Sequence, residues 1–276
     1  MFKVMTCNIR VSSAPDTVYS WANRRAVCAE IIRRHAPDLI GFQEMRQDQH
    51  DDLFSALGNY DSFGVIDEPG GHPVDQIFYR RDRYELLTGH SYWLSATPDR
   101  CGSKSWDSNC IRMANAALLR DRQTGRKLRF TNTHLDHISQ PAREEQAGVI
   151  NADCQAQPAD LPQILTGDMN CDFVNPAIQR FLQNGWIDTY AAIHQVNEPG
   201  FTYHDFIGPR YNIPHYGKMD FVFCRGQLLP RTATIVKDSI DGRFPSDHYF
   251  VAAEFDFVPV AAKVRNCSPE ALAVAY

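Results

Sequence analysis

The chain has 276 residues, enough to bury roughly three quarters of its unfolded surface without disulfide staples. Apolar residues make up 43 % and charged residues 22 %, a globular composition and not a disordered one. Lysine and arginine number 28 against 33 aspartates and glutamates, and this charge of −5 argues against attachment to nucleic acid through a large basic surface.

No apolar run approaches the roughly 20 residues that span a bilayer, so no membrane partner is expected. The opening residues Met1 to Thr6 lack the long apolar stretch of a secretory signal. The eight cysteines stand at 7, 28, 101, 110, 154, 171, 224 and 267 with no Cys-x-x-Cys spacing, which points away from zinc and thiol-redox motifs. The expected setting is reducing and cytoplasmic, with most cysteines acting as small apolar residues. Cys101 and Cys110 flank one loop and are the pair to test for a bridge.

In chain order, residues 4–9 read as a first strand. Residues 21–35 place Trp21, Val27, Cys28, Ile31 and Ile32 on one stripe at helical spacing, with the arginines elsewhere, so that Arg24 and Arg25 read as a solvated face. Pro37 breaks that helix and residues 39–43 resume as a buried strand. Leu53, Phe54 and Leu57 predict a second helix stopped by Gly58. Strands follow at 76–79, 116–120 and 128–134, then a helix around 141–150 and a strand at 161–166. Asn175 before Pro176 is a cap followed by a proline at the first helical position, and Gly185 closes that helix. Later strands fall at 219–224, 233–237 and 250–257. No linker or repeat divides the chain, and the pattern predicts one α/β domain over 1–257 with two packed sheets, followed by a tail at 258–276. Within that tail Ser268, Pro269 and Glu270 read as a cap for a short terminal helix.

Several strands end in a carboxylate, amide or imidazole where another apolar residue is the structural default. Asn8, Glu44, His134, Asp168 with Asn170, Asp220, and Asp247 with His248 all occupy such places. Taken singly, each is an ordinary turn, cap or satisfied core group. Together they hold the parts of one chemistry. The hard oxygen donors Asn8, Glu44, Asp168, Asn170 and Asp247 suit Mg²⁺ or Mn²⁺. A histidine beside an acid suits proton transfer or stabilisation of transition-state charge. No nucleophile elbow, P-loop or dinucleotide fingerprint is present.

The ordered set Thr6-Cys7-Asn8-Ile9-Arg10, Gln43-Glu44, Asn132-Thr133-His134-Leu135-Asp136, Gly167-Asp168-Met169-Asn170, Lys218-Met219-Asp220-Phe221-Val222 and Ser246-Asp247-His248 resembles the endonuclease/exonuclease/phosphatase superfamily of metal-dependent phosphoesterases. The stretch Gly102 to Asp107, with Arg112 after it, is similar to a bacterial branch of unassigned substrate. The resemblance implies a four-layer α/β sandwich, two packed mixed β-sheets flanked by helices, with the site at one end. It implies Glu44, Asn8 and Asp247 at the metal. Asp168 would act on the attacking water, with Asn170 holding that water or the phosphate. His248 would stand at the phosphorus or leaving oxygen, oriented by Asp220, and His134 would donate to a phosphate oxygen.

Other positions keep two readings. Arg112 either clamps a phosphate or pairs with a surface acid. Trp106 and the pair Tyr92 and Trp93 either wall a base or sugar or pack the core. Asp136 and His137 either support the site or brace their loop, and Arg143 faces either the site or solvent. The function expected is Mg²⁺- or Mn²⁺-dependent hydrolysis of a phosphate ester by direct attack of water. Net charge leans toward a small organic phosphate over a nucleic acid. The alternatives are a non-catalytic binding module on the same fold and a lipid phosphodiesterase.

Overall fold

The structure, a computed structural model, describes residues 1–64, 74–212 and 217–259. In chain order the elements are β1 (Phe2–Asn8), α1 (Trp21–His35), β2 (Leu39–Met45), α2 (Gln47–Leu57), β3 (Tyr60–Phe63), β4 (Val74–Arg80) and β5 (Tyr84–Trp93). There follow β6 (Met113–Asp121), β7 (Lys127–His134), α3 (Gln140–Gln155), β8 (Gln163–Asp168), α4 (Pro176–Gln183), β9 (Ile187–Asp188) and α5 (Thr189–His194). The last three are β10 (Asp220–Arg225), β11 (Leu228–Val236) and β12 (Phe250–Phe257).

Two six-stranded sheets result, ordered β11-β12-β1-β2-β4-β3 and β5-β6-β7-β8-β10-β9. Each is mixed, because β1 with β2 and β7 with β8 are parallel pairs among antiparallel ones. Strand alternation sorts the side chains into layers. Phe2 and Val4 of β1 face the second sheet and meet Leu128, Phe130, Ile164 and Val222, whereas Met5 and Cys7 face outward and pack with Cys28, Ile31 and Ile32 of α1. On the other side, Leu165 and Phe223 meet Ala147, Ile150, Ile178 and Phe181 of α3 and α4. The result is the expected sandwich of helices, sheet, sheet and helices. Among the described residues no helix is long and apolar enough to cross a membrane.

Along the inner faces the residue type changes with position. β1 runs Phe2, Val4, Thr6, Asn8; β7 runs Leu128, Phe130, Asn132, His134; β8 runs Ile164, Thr166, Asp168. The apolar members fill the central core, and the next residues form a buried polar layer. The Asn132 side chain accepts from Gln43 Nε2 (2.7 Å) and Thr166 Oγ1 (2.9 Å) and donates to the carbonyls of Phe42 (2.8 Å) and Gln76 (3.2 Å). Amide groups so satisfied lock the two sheets in one register at little desolvation cost.

The differences from the sequence reading are informative. β5 went unread because its middle residues are exposed and polar, on the edge of its sheet. β3, β9 and α5 are too short to show a period. Cys101 and Cys110 are free thiols, Cys101 exposed and Cys110 tied through its backbone N–H to Asp136. Arg24 is buried, not solvated. Tyr92 and Trp93 are buried in apolar clusters, the packing alternative. The terminal helix read at 268–270 lies outside the described residues.

Gly41 leaves no room for a side chain, since a Cβ there would sit 2.2 Å from both Asn132 Oδ1 and Thr166 Oγ1. Gly41→Ala is expected to lose about 1–3 kcal/mol or more in urea unfolding, the usual penalty of overpacking, whereas Gly125→Ala, where nothing lies within 4 Å, is limited to the cost of its left-handed backbone.

Candidate active site

The polar ends of the inner faces converge at one end of the sandwich around a cleft of about 480 Å³. Register accounts for the convergence: Asp168 is paired with His134 on one side and with Asp220 on the other, and Asn8 stands beside Gln43 across the β1–β2 pair. Glu44 reaches the cleft by a different device. It sits in an irregularity of the β2–β4 pairing, with φ of +62°, a left-handed conformation that a glutamate adopts only at a cost. The bulge turns its carboxylate to accept from Val11 N–H (2.9 Å) and Asn8 Nδ2 (3.2 Å).

Asp168 is the hub. Its Oδ1 accepts from the Asn170 N–H at 2.8 Å. Its Oδ2 accepts from Asn8 Nδ2 at 2.9 Å and lies 3.3 Å from His134 Nε2 and 3.8 Å from His248 Nε2. On its far side His248 Nδ1 is 2.9 Å from Asp220 Oδ2. The line Asp220, His248, Asp168 thus places one imidazole between two carboxylates. Burial alone pulls His248 down, but Asp220 and then Asp168 outweigh it and raise the imidazole to about 10. Burial and Asp220 push Asp168 up to about 7, against the opposing pull of His248. His134 goes the other way: burial and the nearby Arg112 hold it well below the usual imidazole value, so it is neutral.

Asn170, at φ +51°, points its amide N–H groups at His134 Nε2 (2.8 Å) and the Leu135 carbonyl (2.9 Å). This leaves Oδ1 as its open group. Lys218, fully buried, pairs with Asp188 at 3.1 Å and lies over the Phe221 ring, which anchors the backbone just ahead of Asp220. Asp136 stands at the back of the loop and accepts from Ser108 Oγ and the N–H groups of Asn109, Cys110, Ile138 and Ser139. Burial would raise it, yet these donors hold it down at about 2. Its role is to brace the loops, and Arg143 assists by donating to the Asp136 carbonyl.

The sequence-predicted residues are thereby sorted. Glu44, Asp168, Asn170, His134, Asp247, His248 and Arg112 line the cleft. Asn8 and Asp220 stand behind the wall, bonded to residues that form it. Asn8 turns its amide nitrogen to Glu44 and Asp168, while its oxygen accepts from Arg10 N–H at 3.0 Å. It therefore holds two like charges together as a donor and is not placed as an oxygen ligand. Trp106 is not brought to the cleft. It and Asp107 both have φ of +56°, and this double left-handed turn lays the indole in a separate groove with Glu145, Gly148 and Arg180.

His137, left with two readings, also lines the cleft, and Arg10, Cys110, Ile138, Tyr203 and Met219 complete the lining without having been singled out for it. Arg10 lies in the first quoted motif, paired with Asp16 at 3.1 Å and 3.7 Å from Asp247, and its φ of +56° is the kind of strain found at functional sites. Tyr203 comes from a loop and sets its ring edge-on to His248, centroids 5.2 Å apart. Nothing in the sequence around it marks it. Arg112 Nη2 contacts His137 Nδ1 at 3.3 Å, and its Nε has no hydrogen-bond partner.

Glu44 and Asp247 are oxygen donors on the cleft wall, the donor type that suits a divalent cation. Burial pushes Asp247 up, and the Glu44 charge adds to this against the pull of His248. Asp168, Asp220 and His248 also offer ligand atoms within 4.8 Å of one another. There the His248 imidazole lies between the two carboxylates, an arrangement that also fits a proton-holding device.

The chain as a whole is similar to known proteins. The Endonuclease/Exonuclease/phosphatase family matches residues 5–248. The chain belongs to that family. The superfamily is one of phosphoesterases, nucleases and phosphatases among them. An endonuclease/exonuclease/phosphatase from Bacteroides vulgatus superposes with a TM-score of 0.84 at 29 % identity, covering 93 % of this chain and 98 % of that one. A mannosyl-6-phosphatase of Bacteroides thetaiotaomicron superposes at 0.83 with 28 % identity, covering 93 % of this chain and 100 % of that one. Nocturnin of Drosophila melanogaster is 23 % identical over 89 % of this chain, which spans less than half, 43 %, of that relative's length.

The pairing at His248 has a stability consequence for this family member. A raised imidazole stabilises the fold fully below its unfolded value near 6.5, and that contribution is lost as pH rises through about 10. Asp168, raised from near 4 to about 7, acts in the same direction at lower pH, its contribution being lost by about pH 7. Melting temperature in metal-free buffer is expected to fall between pH 7 and 10, and His248→Gln to flatten that fall. A wild-type curve flat over this range would contradict the assignment.

Proposed function

We propose that the protein is a divalent-metal-dependent phosphoesterase that hydrolyses small organic phosphates by direct attack of water. The line Asp220–His248–Asp168, opening on a cleft walled by Glu44 and Asp247, carries this reading. Glu44 and Asp247 would hold Mg²⁺ or Mn²⁺, which when bound supplies neutralisation of the non-bridging phosphate oxygens. Asp168, ionised above about 7, accepts from and orients the attacking water together with the open Oδ1 of Asn170. His248, protonated and aligned through Nδ1 by Asp220, donates to the departing oxygen. His134, neutral, fixes the Asn170 amide in place.

A small substrate is favoured by the confined volume and by where the cations stand. Arg10 and Arg112 line the cleft, while Arg25, Arg33, Arg34, Arg80 and Arg81 are spent on acidic neighbours elsewhere on the surface. A net charge of −5 suits this arrangement better than a nucleic-acid track. The likeness to a mannosyl-6-phosphatase adds support. Arg112, with an unpartnered Nε beside His137, is the side chain placed to receive a phosphate oxygen.

The test is hydrolysis by the purified protein of sugar phosphates, nucleotides, p-nitrophenyl and bis-p-nitrophenyl phosphates, RNA and single-stranded DNA, with Mg²⁺, Mn²⁺ or EDTA. Turnover on a small phosphate is expected, abolished by EDTA. Asp168→Asn and His248→Gln should each lower kcat by about 10²–10⁴. Arg112→Met should raise KM by about tenfold or more, the loss of a charged hydrogen bond. Preference for a polynucleotide would overturn the substrate class, and turnover surviving both catalytic substitutions would overturn the mechanism.

A further inference from the structure

Arg24 of α1 is 1 % exposed, and among the described residues no carboxylate lies within ion-pair distance of it. A buried guanidinium without a counter-ion is costly and must be met by other polar groups. Here backbone carbonyls meet it. Nη1 donates to Ile9 O and to Pro245 O (3.0 Å), Nη2 to Arg10 O (2.7 Å) and Nε to Tyr19 O (2.9 Å). The faces of Trp21 and Phe206 lie 5.1 Å and 5.6 Å from the guanidinium and close the site.

Three of these carbonyls belong to two neighbouring segments that contribute to the cleft wall. One leaves β1 with Asn8 and Arg10, and the other leads into Ser246, Asp247 and His248. The β1–β12 ladder does not join them, because its last pair is Thr6 with Val251. Beyond that pair Arg24 Nη1 joins Ile9 O to Pro245 O, and the Arg10 side chain lies 3.7 Å from Asp247. Arg10 O takes a second donor, Gln49 Nε2 at 2.8 Å, which fixes the same turn from α2.

We propose that Arg24 is a positioning residue: it holds the Asn8–Arg10 segment and the Pro245–His248 segment at the separation that the reacting groups require. A merely stabilising core residue would lower the melting temperature and leave the folded enzyme's rate alone. A clamp ties the two segments into one opening unit and sets the rate once folded. Only the kinetic arm of the test rests on the phosphoesterase reading.

The experiment compares wild type with Arg24→Lys, Arg24→Gln and, as a control for lost stability, Leu228→Ala, a core truncation at the start of β11. Hydrogen exchange read by mass spectrometry covers residues 7–11 and 244–248, and kcat and KM are measured well below each melting temperature. In wild type the two segments are expected to open together, with the same dependence on urea. In Arg24→Lys and Arg24→Gln both should exchange about tenfold faster, and kcat should fall at least tenfold with KM within about threefold. Leu228→Ala should change neither segment selectively. The proposal is overturned if the segments open independently in wild type, if their exchange is unchanged in the variants, or if folded variants keep full kcat. Should neither variant fold, the wild-type urea dependence decides. Should wild type hydrolyse nothing, the phosphoesterase reading fails, and exchange alone decides whether the clamp exists.

Discussion

The structure depends on burying the Asp168 carboxylate. At 1 % exposure it has given up water, and an uncompensated carboxylate there would unfold the site or take up a proton. Neighbouring segments contribute to its compensation: β1 through Asn8, the turn after β8 through the Asn170 N–H, and the segment before β12 through His248. None of these suffices alone. Their convergence requires both sheets at one register, which the polar layer around Asn132 enforces directly beneath.

Each central strand thus performs two tasks on one face. Its apolar half drives the sheets together, and its polar half emerges at the cleft. The transition occurs over two or three residues, at Thr6, Gln43, Asn132 and Thr166, whose side chains satisfy one another. A rigid polar layer suits a phosphoesterase, because charge stabilisation in the transition state is most effective when the groups need not reorganise. Backbone strain is placed in the same region. Arg10, Glu44 and Asn170 all hold positive φ at the cleft, and each is secured by a hydrogen bond with a neighbouring segment.

Much of this was legible from residue order. Asn8, Glu44, His134, Asp168, Asp220 and His248 are recognisable because strand alternation predicts an apolar residue where a polar one stands. The helices at 21–35 and after Asn175 were legible from spacing and caps. Other features left no such mark. Arg24 lies among arginines on a helix, and a helical pattern says nothing about which carbonyls face it. Tyr203 belongs to a loop without a period. Trp106 sits in a quoted stretch, yet two left-handed residues carry it away from the cleft. The orientation of the Asn8 amide likewise follows from the carboxylates on either side of it.

The sequence by itself determined the alternation of strands and helices, the residues that interrupt their apolar faces, and the ordered motifs of the family. Those are local properties, set by period, propensity and residue chemistry. Tertiary structure alone decided which polar groups meet around Asp168, which carboxylates line one cleft, and which segments share the buried Arg24 guanidinium. These are relations between segments up to 221 residues apart, and their energies depend on distance and burial that no local pattern contains.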